Sequence, residues 1–98
     1  MRLVLHGDVS NAARALLRVP QDGREDVCAR LIAEAEMADR HVKRTGQAHP
    51  LWGNGSLMSA ARRRPLADEP GFDDLAFCQC FETVVQALIR HHLSRKHN

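Results

Sequence analysis

At 98 residues, with 44% apolar and 27% charged side chains, the chain is large enough to bury a core and too apolar to be disordered throughout, so it needs neither a metal nor a disulfide to fold. A net charge of +2 and a pI near 8.7 make it mildly basic, which by itself implies no nucleic-acid partner. Charges interrupt every apolar run, which excludes a membrane-spanning helix, and three Phe, one Trp and no Tyr beside abundant Ala and Leu favour helices over strands.

The pattern predicts an all-α chain, a compact irregular bundle of about four helices over residues 8–18, 24–45, 56–63 and 73–93. They form a single helical domain, 1–98, with a frayed tail over 94–98. Leu3-Val4-Leu5 reads as a short extended arm. Asp8, after Gly7, is placed to cap the first helix, where Val9, Ala12, Ala13, Leu16 and Leu17 recur at helical spacing until Pro20, Asp22 and Gly23 end it. The second helix carries Val27, Leu31, Ala35, Ala38 and Val42 on one face. Glu25 and Asp26 sit in its first turn, Lys43 and Arg44 in its last, and Gly46 is a natural stop. Asp26–Arg30, Glu36–Arg40 and Asp39–Lys43 are acid-before-base pairs at four-residue spacing.

A loop, Gln47 to Gly55, leads to a short third helix capped by Ser56 and closed by Pro65. An acidic turn, Leu66 to Gly71, then leads to the fourth helix, with Asp73 and Asp74 at its start and Arg90, His91, His92 and Arg95 at its end. Between them Leu75, Ala76, Phe77, Cys78, Cys80, Phe81, Val84, Val85, Ala87, Leu88 and Ile89 cover most of the circumference. Such a helix is expected to be buried nearly all round, either at the centre of the bundle or against a second subunit.

Cys78 and Cys80 point in directions about 200° apart on a helix and cannot chelate one ion from there. With Cys28 they read as free, buried thiols of a reducing cytoplasm. The opening Met1 to Leu5 is too short for a secretory signal. No metal, cofactor or catalytic residue is expected. His91 and His92 face different ways, His97 falls in the tail, and His41 lies on the polar side of the second helix; a weak site joining His41 or His49 to another helix stays open.

The loop His49-Pro50-Leu51-Trp52-Gly53-Asn54-Gly55-Ser56 holds the only Trp and a turn signal at Asn54-Gly55. It reads first as a rigid connector with Trp52 plugged into the core. As a partner site it would offer His49, Leu51, Trp52 and Asn54, and its Gly-x-Gly before a helix could offer N–H groups to an anion. Arg62, Arg63 and Arg64 form one basic patch and Arg90, Arg95 and Lys96 a second, both candidates for phosphate contact. The acidic run Asp68, Glu69, Asp73 and Asp74 between them could neutralise these arginines, which leaves a solvated charged face as the simpler reading.

Ala38-Asp39-Arg40-His41 and His49 to Met58, with the opening Gly7-Asp8-Val9 helix and the last apolar helix, resemble a group of short uncharacterised alphaproteobacterial proteins. The resemblance covers most of the chain and implies a bacterial cytosolic origin without an activity. The function expected is a small protein–protein interaction or accessory module without catalysis, binding an unknown protein or itself as a homodimer. The alternative is a small nucleic-acid-binding or regulatory protein using Arg62–Arg64 and Arg90–Lys96.

Overall fold

A computed structural model of the chain describes residues 1–96 and contains four α-helices: α1 (His6–Leu17), α2 (Arg24–Thr45), α3 (Leu57–Ala61) and α4 (Leu75–Lys96). A single 3-10 turn, Gln21–Gly23, joins α1 to α2, and no strand occurs among the described residues. The predicted boundaries of α2 hold at both ends. Its C-terminal stop is Gly46, whose φ of 75° is the left-handed conformation that glycine adopts without strain and whose N–H reaches the Val42 carbonyl at 2.7 Å.

The other boundaries move for identifiable reasons. α1 starts two residues before Asp8, because Asp8 does not cap by preceding the helix; its Oδ2 instead accepts from the Leu5 N–H at 2.9 Å, from inside the first turn. α3 is shorter than predicted, with Ser56 as the cap that accepts from the Ser59 N–H at 3.1 Å. α4 begins later, since Asp74 serves as its cap and accepts from the Phe77 N–H at 2.9 Å. It also runs on to Lys96, so residues 94–96 of the expected tail are helical, and His97 lies outside the described residues.

α1 packs mainly on α4 and α3, while α2 packs on α3 and α4. Phe77, Leu16, Leu31, Leu57 and Val84 fill the centre, and Ala12, Ala13, Ala35, Ala60 and Ala61 let the backbones approach closely around them. Each large side chain buried there contributes about 1.5–3 kcal/mol of hydrophobic stabilisation. Polar groups hold the connections. Arg24 Nε donates to the Leu16 and Val19 carbonyls, 3.1 Å each, and so satisfies the end of α1. The acidic turn is fastened to α1 by Arg14, which donates to the Ala67 carbonyl at 2.7 Å, and by Ser10, which hydrogen-bonds Glu69.

α4 is not buried nearly all round. Phe77, Cys80, Val84, Ala87 and Leu88 face the core, but Leu75, Val85, Ile89 and Leu93 are 72%, 37%, 46% and 53% exposed. At about 100° per residue the exposed four fall within an arc of about 80°, opposite the core-facing five. The apolar run in the sequence is therefore two stripes on opposite sides of one helix, the outer one interrupted by the exposed Glu82.

Candidate functional site

The tryptophan loop folds back on α2. The His49 N–H donates to the Gly53 carbonyl at 2.7 Å and the Gly53 N–H returns to the His49 carbonyl at 3.1 Å, closing a tight turn. Inside it, His49 Nδ1 accepts from the N–H groups of Leu51 at 3.0 Å and Trp52 at 3.2 Å. The Asn54-Gly55 signal is a turn of a different kind: Asn54 Oδ1 accepts from the Ser56 N–H at 3.0 Å and the Ser59 hydroxyl at 2.9 Å, which ties the loop to α3. Gly55 lies so close to α2 that a Cβ there would stand 2.7 Å from the Asp39 Cα, and its φ is 95°. Its carbonyl accepts from the Arg2 N–H at 2.8 Å, which docks the N-terminal arm on the same loop.

Trp52 does not plug the core. It is half-buried and stacks on the His49 ring, with centroids 4.6 Å apart and planes 14° apart. The central position next to α3 is taken by Leu57. Leu51 stands at the tip, 62% exposed, whereas Asn54 already spends its carbonyl oxygen within the loop. His41, on α2, and His49, in the loop that follows it, meet edge to face at 5.0 Å. Several N–H groups around the Gly-x-Gly segment are already taken: that of Gly53 by the His49 carbonyl at 3.1 Å, that of Met58 by Asp8 Oδ1 at 2.9 Å and that of Ser59 by the Ser56 hydroxyl at 3.1 Å.

The basic residues do not act alike. Arg64 is paired through both nitrogens with Glu34, at 2.7 and 2.9 Å, and this partner raises its pKa. The neutralising acid comes from α2, not from the acidic run. Arg62 and Arg63 are exposed. Arg90 borders a groove of about 300 Å³ between α2 and α4, together with Glu25, Ile32 and His91. Arg95 lies 3.5 Å from Glu36, which also meets His91 at 3.3 Å and the Met1 ammonium at 2.6 Å. Burial works to raise the Glu36 pKa, but these three partners hold it below the usual carboxylate value.

This Glu36 cluster has a consequence for α2. Of the three acid-before-base pairs expected there, only Asp39–Lys43 closes, at 2.9 Å. Glu36 turns toward α4, so Arg40 has no carboxylate partner among the described residues.

Residues 2–88 match a family described as a domain of unknown function (DUF7742). The chain belongs to the DUF7742 family. No curated protein and no solved structure gave a match. The family description carries no activity to this chain, so in the DUF7742 protein the reading rests on the residues themselves.

Two features of the DUF7742 fold escaped sequence reasoning. The His41–His49 pairing needs the return of the loop onto α2, and only the two glycines before Ser56 hinted at that close approach. The outer stripe of α4 was visible as an excess of apolar residues, but not as a separate face. The cysteines divide between these surroundings. Burial pushes the Cys28 thiol up to about 11 and raises that of Cys80, while Cys78 lies outside the core and donates to the Phe72 carbonyl at 2.8 Å.

Proposed function

We propose that the protein is a non-catalytic interaction module that self-associates through the outer face of α4. The observation that carries this reading is the stripe Leu75, Val85, Ile89 and Leu93, directly opposite the face that builds the core. A monomer gains nothing from apolar residues repeated along a solvated helix face, whereas a second helix laid on them removes that surface from water. The occupant is a second copy, antiparallel. Charge along α4 is segregated, with Asp73, Asp74 and Glu82 toward its start and Arg90 toward its end, beside the stripe. An antiparallel pair sets opposite signs against each other, and a parallel pair sets like against like.

Three free thiols and the resemblance to short alphaproteobacterial proteins support a bacterial cytoplasmic setting for this module. The nucleic-acid alternative is less well served, because Arg64 is committed to Glu34 and Arg95 faces Glu36.

Sedimentation equilibrium at micromolar concentration tests self-association. The wild-type chain is expected at twice its 11.0 kDa mass, and the double variant Val85→Glu, Ile89→Glu at the single mass with unchanged helicity. A wild-type monomer under these conditions sinks the reading.

A further inference from the structure

We propose that a depression on the outer side of α2, about 190 Å³ and lined by Met37, Arg40, His41, Arg44 and His49, binds a phosphoryl anion. All four polar side chains around it are donors. Arg40 and Arg44 lie one turn apart and neither has a salt bridge among the described residues. Arg44 Nη2 stands 3.4 Å from His41 Nδ1, and because a guanidinium can only donate, that ring nitrogen accepts. His49 Nδ1 is likewise occupied as an acceptor by two backbone N–H groups. In both neutral rings the proton is therefore on Nε2, leaving each imidazole one N–H to give.

The lining contains no carboxylate. The two acids that adjoin the lining in sequence are engaged elsewhere, Asp39 by Lys43 at 2.9 Å and the Met1 ammonium at 3.1 Å, and Glu36 by the Met1 ammonium at 2.6 Å and His91 at 3.3 Å. The C-terminal end of α2 carries about half a negative charge from its dipole, which opposes an anion, but two full guanidinium charges outweigh it. Paired guanidiniums with their planar forks suit a phosphoryl group in particular. The volume lies below the roughly 300–1,000 Å³ of pockets that enclose a whole small ligand, so the depression takes the phosphoryl head and leaves the remainder outside.

Trp52 is the only tryptophan and stacks on His49, so its fluorescence reports this place and no other. Titration with inorganic phosphate and, separately, with O-phosphoserine at constant ionic strength is expected to give a saturable change absent with chloride. Tighter binding of the monoester assigns the site to a small phosphorylated molecule, and tighter binding of the ion to free phosphate.

The pair Arg40→Gln, Arg44→Gln is expected to weaken binding by at least ~10-fold. Arg62→Gln with Arg63→Gln is expected to leave it unchanged. Arg44→Lys, which keeps the charge and loses the fork, is expected to fall between. Circular dichroism of each variant guards against loss of fold. The proposal is overturned if neither small anion gives a saturable change, if the change survives Arg40→Gln, Arg44→Gln, or if only an oligonucleotide produces it.

Discussion

Gly55 shows how much one backbone position determines here. Its φ of 95° is open to glycine and strained for any other residue, and an added Cβ would meet the Asp39 backbone at 2.7 Å, where nothing can swing aside. Gly55→Ala is expected to destabilise the protein by about 2–3 kcal/mol in urea unfolding. It should also change Trp52 fluorescence in the native state, because the loop must lift from α2. A loss no larger than a Gly→Ala change at an open surface site would mean that the loop is not seated on Asp39. Asp8 works at the same scale. One carboxylate accepts from Leu5 and from Met58, and so fixes the start of α1 against the start of α3.

Among the elements, α4 depends most on its cap. Asp74 accepts from the Phe77 N–H at the point where the acidic turn gives way to helix. Asp74→Ala is expected to cost ~1 kcal/mol, lowering Tm by roughly 4–8 °C in a domain of this size. Thermal unfolding followed by circular dichroism checks it, and an unchanged Tm would show that the cap is dispensable. Much of α4's character was legible in the sequence, in its terminal charges and its surplus of apolar residues, whereas Asp74 was expected inside the helix and is its cap. That surplus is not buried at the centre of the bundle, because neighbouring positions, such as Val84 and Val85, look alike in a linear sequence yet stand about 100° apart on a helix. α2 gives the reverse lesson. Its ends were read correctly from local charge and Gly46, but Glu36–Arg40 did not pair, because His91, Arg95 and the Met1 ammonium compete for that carboxylate from outside the helix.

For the molecule as a whole, a radius of gyration of 13.2 Å is what about 100 residues occupy when compact. The charges that join distant parts of the chain then decide its acid stability. Lys43 and the Met1 ammonium hold Asp39 below its ordinary pKa, and Glu36 is also lowered. Both carboxyls are depressed on folding, so their contribution is complete above their unfolded values of roughly 3.9 and 4.3 and is lost as pH falls through the lower folded values. Tm is expected to hold between pH 7 and about 5 and to drop below about 4. Glu36→Gln is expected to lower Tm at pH 7 and to shallow the acid drop. An acid slope identical to wild type would remove Glu36 from this role.

The sequence by itself determined the helices, the Ser56 cap, the Gly46 stop and the positions that build the core, because helical spacing and capping act over a few neighbouring residues. It also marked the His49–Gly55 loop and the excess of apolar residues on the last helix. Only the tertiary structure decided which arginines are neutralised, where Trp52 sits, that His41 meets His49 and that α4 carries a second, uncovered stripe. Each of these depends on which residue from another element arrives first at a charge, a ring or a face, and that is set by how the helices pack.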